Sequence, residues 1–278
     1  MKQPEARALF ERLVAVPDDE LDLVRAALAI AAEEDAGLDV DAWTHRIDGL
    51  AFRGLAMVSE TADEAERLAR LYELFFDELG FSGRGADFGD PACSFLHQVV
   101  DRRVGLPITL SLLFVRIGRR MGLSCAGVGF PGHFLAKVTT SDGEIFVDPF
   151  GQLRSLTVDD LAQRLAKASN GRQKLDRWML ASATSKQILA RLLRNLKNLY
   201  TQQRDYARAF SAVDRVLLVQ PEATDDLRDR GLLCSRLGGT EAARRDLALY
   251  LTRVPDAPDA DHVRSKLETL GASRVLLN

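Results

Sequence analysis

The chain is poor in cysteine, which excludes some classes of protein. Its 278 residues include three cysteines, at positions 93, 125 and 234, and no two of them form a CxxC pair. This spacing does not fit the disulfide framework of a secreted domain, and it favours a reducing compartment. We therefore predict a cytoplasmic protein that needs neither a metal nor another cofactor.

The chain also lacks a surplus of basic charge and any long apolar run. It has 37 Lys and Arg against 40 Asp and Glu, so its formal net charge is −3. A nucleic-acid-binding domain would show a basic surplus. Residues 1–13 are charged and amphipathic, unlike a signal peptide, and no segment is apolar over the length of a bilayer. We expect no nucleic-acid partner and no membrane association.

Helical and β-like patterns divide the chain into three regions. Residues 1–80 carry apolar residues at helical spacing, with one long pattern predicted to end at Gly80. Residues 81–170 begin with a glycine-rich loop and continue with two helices, PACSFLHQVVDRRVG and LPITLSLLFVRIGRRMG. The β-like stretches SCAGVGF, HFLAKVTT and EIFVDPF follow, separated by turn sequences. The class is therefore α+β, with helices packed on a small antiparallel sheet.

Residues 171–278 are helical again and contain an internal repeat. A shift of 34 residues aligns Pro221 with Pro255 and Ala209 with Ala243. A 34-residue period with small residues in mid-repeat and proline at the end is typical of paired tetratricopeptide helices. Such helix pairs stack into concave surfaces, so this region predicts a protein or peptide partner.

Two titratable residues fall close together in the predicted sheet. If the second hairpin turns near residues 140–143, His133 lies nearly opposite Asp148 on the next strand. A carboxylate beside an imidazole fixes the imidazole tautomer, as a general base requires. In the alternative interpretation, Asp148 caps the turn before Pro149, and His133 is a polar residue at the rim of the sheet.

Several segments resemble a known family. A helix starting at Gly105-Leu106-Pro107, a strand starting at His133 and a strand ending at Asp148-Pro149 are similar to the transglutaminase-like superfamily, which has a papain-like core. Within it, RRVGLPITLS, GVGFPGHFL and FVDPFG resemble the SirB-type proteins, which are bacterial and carry tetratricopeptide repeats at the C-terminus. The resemblance covers most of the chain.

The same resemblance implies a catalytic triad that is incomplete here. Active members of the superfamily have a nucleophilic cysteine in the first turn of the core helix, followed by the histidine and the aspartate. His133 and Asp148 match this pattern, but the position that matches the cysteine is Pro107. Proline has no nucleophile.

Three residues remain as substitutes for the missing thiol. Thr109 and Ser111 lie further along the same helix, where helix-start hydroxyls usually bond to backbone or water. Cys93 lies near the start of the preceding helix, with His97 and Asp101 four and eight residues later. This stripe permits a nucleophile or a metal ligand, although structural metal sites need four ligands and a helical cysteine is usually a small buried hydrophobe.

The sequence therefore favours a non-catalytic protein-binding or regulatory module, a pseudoenzyme with repeats. The alternative is an enzyme of acyl transfer or amide hydrolysis, in which His133 and Asp148 activate water or an unconventional nucleophile. A third hypothesis is a purely structural role, in which the core is a scaffold for partner assembly, since a fold does not determine function.

Overall fold

The computed structural model describes residues 3–275 and the side chains of residues 3–271, and this part of the chain contains twelve α-helices and four strands. The helices are α1 (Gln3–Val14), α2 (Leu23–Glu34), α3 (Val40–Leu55), α4 (Glu64–Tyr72), α5 (Leu96–Arg102), α6 (Pro107–Arg120), α7 (Val158–Ala168), α8 (Ser185–Gln202), α9 (Tyr206–Val219), α10 (Thr224–Arg236), α11 (Thr240–Arg253) and α12 (Ala260–Val275). The strands are β1 (Ser124–Val128), β2 (Leu135–Thr140), β3 (Gly143–Asp148) and β4 (Leu153–Leu156).

Aspartate side chains start the N-terminal helices. Asp22, Asp39 and Asp63 accept backbone N–H groups of the first turns of α2, α3 and α4, because those groups have no partner within the helix. The helix predicted to run to Gly80 is α-helical only as far as Tyr72, and a π-helical segment, Glu73–Glu78, continues it.

The segment predicted as a single helix after Pro91 is interrupted. Residues Pro91–Ser94 form one 3₁₀ turn, and Phe95 is extended before α5 begins. The 3₁₀ turn starts at Pro91 because Asp90 caps it and the proline needs no N–H partner there. The single-helix prediction was wrong, and Cys93 consequently lies outside α5.

The sheet is antiparallel, in the order β1-β2-β3-β4, and its β1 and β2 strands pack against the buried helix α6. The prediction that the second strand starts at His133 was wrong by two residues. The His133 N–H donates to the Phe130 carbonyl at 3.0 Å and closes a turn around Gly132, whose φ is +70°. A turn that uses this N–H cannot also pair it in the sheet, so β2 begins at Leu135.

The chain divides into two compact units, residues 1–188 and 189–278. The regions predicted as 1–80 and 81–170 both lie in the first unit. In the second unit, α11 begins and ends 34 residues after α9, which matches the period of the sequence. Ala209 and Ala243 are fully buried, as the small residues of such repeats should be. The α+β fold class with a tetratricopeptide-like helical region is confirmed.

None of the helices described in residues 3–275 is both long enough and apolar enough to cross a bilayer.

Candidate functional site

The sheet brings His133 and Asp148 together at one end. Ala136 of β2 pairs with Val147 of β3, so the turn before β2 and the last residue of β3 are neighbours. His133 Nε2 lies 2.8 Å from Asp148 Oδ1. The imidazole is 23% exposed and the carboxylate 3% exposed, so the histidine faces solvent over a buried acid.

Two further groups besides the histidine bond to Asp148. Its Oδ1 also accepts the Gly151 N–H at 3.1 Å, and Oδ2 lies 3.0 Å from a guanidinium nitrogen of Arg164 on α7. Burial alone would raise the pKa of Asp148, but the bonds from His133, Gly151 and Arg164 outweigh burial, and the net pKa is lowered. The carboxylate is therefore ionised at neutral pH.

An ionised carboxylate fixes the histidine tautomer. Because Asp148 can then only accept, His133 Nε2 must carry the hydrogen of their bond. In the neutral imidazole the basic lone pair is consequently on Nδ1. This is the orientation that a general base would need, with the carboxylate as its positioning partner.

Phe150 forms an apolar wall beside the histidine. Its ring meets the His133 ring edge to face, with centroids 5.8 Å apart, and it also contacts Phe88. Gly83 donates its N–H to the Phe150 carbonyl at 2.9 Å, and a Cβ on Gly83 would lie 2.2 Å from the Phe150 ring. The glycine-rich loop predicted over residues 81–91 thus packs directly on this wall.

Pro107 occupies the first turn of α6, as predicted, and offers no nucleophile. The two hydroxyls further along α6 are fully buried. Thr109 Oγ1 lies 3.0 Å from the carbonyl oxygens of Cys93 and Leu106, and the Ser111 hydroxyl donates to the Phe134 carbonyl at 3.3 Å. Both hydroxyls therefore bond to the backbone of the core.

Cys93 is also fully buried. The predicted stripe of Cys93, His97 and Asp101 is broken, because Cys93 lies in the 3₁₀ turn and Asp101 pairs on the surface with Arg46 at 2.7 Å. His97 is buried beside Asp35 and Gln98, and burial lowers its pKa. Over the part of the chain that the structure describes, no group of three His, Cys, Asp or Glu residues is arranged to hold a metal ion.

A second concave site lies in the helical repeats. A groove of about 470 Å³ is bounded by α8, α10 and α12. Its cationic residues are Lys197, Arg236 and Lys266, its acidic residue is Asp229, and His262 also lines it. Lys197 is paired with Asp229 at 2.5 Å, whereas Arg236 and Lys266 form no ion pair with any residue that the structure describes.

Three residues of the site were not predicted from the sequence: Arg164, Phe150 and Gly83. Arg164 is one polar residue of an amphipathic helix, and only the packing of α7 against the sheet shows that it reaches Asp148. The signal that could have identified Phe150 is its position two residues after Asp148, at the end of a strand.

The fold and the His-Asp pair define a transglutaminase-like protein that carries tetratricopeptide helices. Residues 41–194 match the transglutaminase-like superfamily, and residues 196–268 match the tetratricopeptide repeat. The chain belongs to the transglutaminase-like superfamily.

Curated relatives extend over most of the chain. A UPF0162 protein of Xylella fastidiosa (strain 9a5c) is 34% identical over 270 residues, which is 96% of each chain. A UPF0162 protein of Pseudomonas aeruginosa is 31% identical over 236 residues, covering 84% of this chain and 86% of the relative. Protein SirB1 of Salmonella typhimurium is 24% identical over 222 residues, covering 80% and 82%. These matches confirm the resemblance to SirB-type proteins.

Proposed function

We propose that this protein is a non-catalytic member of the superfamily, a pseudoenzyme that binds a protein or peptide partner through its repeats. The observation that carries the proposal is the start of α6, where Pro107 stands at the nucleophile position and the nearby hydroxyls are buried and bonded to backbone. Cys93 is no replacement, because it has no exposed surface. A thiol must be reachable and ionisable to act as a nucleophile.

The repeat groove supports the binding role. It presents the cations Arg236 and Lys266 beside the apolar side chains of Leu232 and Leu233. Stacked helix pairs commonly bind extended segments on their concave face. The charges favour a peptide segment that contains Asp or Glu. The three free cysteines, all buried, are consistent with a reducing cytoplasm.

A peptide array tests the binding role. The purified full chain is applied to peptides of varied sequence, and we expect the bound peptides to be enriched in acidic residues. Arg236→Glu should weaken binding of the best peptide about tenfold, because it replaces a charge-assisted contact with repulsion. Arg245→Glu is the matched control, since Arg245 is an exposed arginine of α11 outside the groove. Equal binding by both variants would contradict the proposed site.

The alternative enzyme has one observation in its favour. The His133–Asp148 pair is formed, Asp148 is ionised, and the histidine is partly exposed, so a water molecule could be deprotonated there. A screen of amide hydrolysis and acyl transfer with the purified protein separates the two functions. If the protein is non-catalytic, the wild type should show no turnover above that of the His133→Ala protein. Turnover that disappears in folded His133→Ala and Asp148→Ala proteins would establish the enzyme instead.

A further inference from the structure

A cavity that the proposed function does not use lies on the α7 side of His133. The turn at residues 130–133 and helix α7 border an open cavity of about 420 Å³. This volume is within the range of small-molecule sites in proteins. The cavity belongs to the first unit and shares no lining residue with the repeat groove.

One side of this core cavity is apolar and fixed. Phe130, Leu135 and Leu161 line it, and they belong to one buried cluster of the core. Leu135 and Leu161 have no exposed surface, and Phe130 is 4% exposed. These buried side chains form a rigid support beneath the cavity. The apolar surface that a ligand could touch consists of Pro131, Ala168 and the edge of Phe130, and it suits the hydrocarbon part of a ligand.

The other side of the core cavity is positively charged. Arg164 and Lys167 lie three residues apart on α7 and therefore share one helix face, next to His133. Lys167 is exposed and forms no ion pair with any residue that the structure describes. Among the described residues, none with a carboxylate lines the cavity.

The nearby acids cancel only part of this charge. Asp148 lies beneath the cavity, buried, and it neutralises one charge through its bonds to Arg164, His133 and Gly151. Asp160, one turn before Arg164, accepts the N–H and the hydroxyl of Thr157 at the start of α7. Arg164, Lys167 and Asp148 together leave one net positive charge. A singly charged anion matches this balance better than a dianion does.

We propose that the core cavity binds a small monocarboxylic acid with an apolar body. The carboxylate contacts the ammonium group of Lys167 and the exposed edge of the Arg164 guanidinium, and the apolar body lies on Pro131, Ala168 and the edge of Phe130. The charged contacts give specificity for the carboxylate, while burial of the hydrocarbon supplies most of the affinity.

Octanoate, octanol and acetate test this site on the full-length protein by isothermal titration calorimetry. Octanoate should bind at one saturable site. Octanol has the same body without the charge and should bind roughly tenfold more weakly, and acetate, which has the charge alone, should not bind measurably. Equal affinity for octanoate and octanol, or no saturable binding of octanoate, would overturn the proposal.

Two variants locate the site without touching the buried core. Lys167→Met keeps an unbranched apolar stem and removes the charge, so octanoate should bind about tenfold more weakly while octanol is unchanged. Lys174→Met changes an exposed lysine outside the cavity and should alter neither affinity. If the two variants behave alike, the carboxylate site is elsewhere. Octyl phosphate bound much more tightly than octanoate would contradict the preference for a single charge.

Discussion

At the scale of single residues, Asp148 connects three separate elements of the site. It accepts bonds from the turn before β2 through His133, from the turn after β3 through Gly151, and from α7 through Arg164. With 3% of its side chain exposed, it depends on these partners to remain charged. One carboxylate thus positions both the histidine and a wall of the core cavity.

Asp148→Asn should destabilise the first unit by about 3 kcal/mol at neutral pH, because Arg164 and His133 lose their anionic partner. The folded pKa of Asp148 is lowered, so its stabilising contribution is present above about pH 4 and is lost as the pH falls through the folded pKa. The difference between wild type and variant should therefore be larger at pH 5 than at pH 3. Urea unfolding at both pH values measures it. Asp142→Asn, at an exposed turn, is the control, and an equal difference at both pH values would contradict the assignment.

The three thiols should be unreactive in the folded protein. Cys93, Cys125 and Cys234 are 0%, 4% and 7% exposed, and burial raises the pKa of Cys125 to about 12. Reaction with a thiol reagent then requires local or global opening. We expect labelling roughly a hundredfold slower than in guanidinium, where all three react. One cysteine labelled at the rate of an unfolded thiol, located by mass spectrometry, would contradict this prediction and identify a candidate nucleophile.

The residues of the site were predictable in part. The hairpin pattern placed His133 opposite the end of the third strand, and the structure has these two side chains 2.8 Å apart. The role of the pair remains a prediction. Arg164 was not predictable, because it is sixteen residues from Asp148 and its sequence context is that of an ordinary solvated helix face.

At the scale of elements, α6 and β1 approach each other closely where a glycine faces a cysteine. A Cβ on Gly118 would lie 2.6 Å from Cys125 Sγ and 3.0 Å from Leu71 Cδ2. A Cβ at this position therefore requires the side chains of Cys125 and Leu71 to move within the packed core. The close approach explains a glycine in the last turn of the buried helix α6, although glycine has a poor helix propensity.

Gly118→Ala should therefore destabilise the protein by roughly 1 kcal/mol, because overpacking outweighs the gain in helix propensity. Gly49→Ala in α3 is the matched control. A Cβ there meets no atom within 4 Å, so the variant should be neutral or stabilised by up to about 1 kcal/mol. Urea unfolding followed by circular dichroism compares the two. Adding Cys125→Ala to Gly118→Ala should recover part of the loss, and no recovery would contradict this explanation.

Elements with strong local signals were predictable, and elements decided by packing were not. The start of α6 follows from Pro107, and its end from the glycine at 122, which has a φ of +84°. Strand β4 was missed because three of its four residues are exposed and only Leu156 is buried, so the sequence shows no alternation. The π-helical segment after α4 has no turn or breaker residue to indicate it.

At the scale of the whole molecule, two units carry two candidate binding sites of related charge. The repeat groove and the core cavity each combine apolar side chains with cations, although the chain as a whole has a net charge of −3. The helical period of 34 residues predicted the first site, because repeated helix pairs form a concave face. No sequence pattern predicted the second, which depends on the packing of α7 against a turn.

The two sites should be separable by single substitutions, because they have no lining residue in common. Arg236→Glu should weaken binding of an array-selected acidic peptide about tenfold and leave octanoate binding unchanged, while Lys167→Met should do the reverse. Titration of each ligand into wild type and both variants measures the six affinities. In the double variant each ligand should lose the same affinity as in its own single variant, as expected for independent sites. If either single variant weakens both ligands while remaining folded, the two sites are coupled, and octanoate in the core cavity would then regulate partner binding.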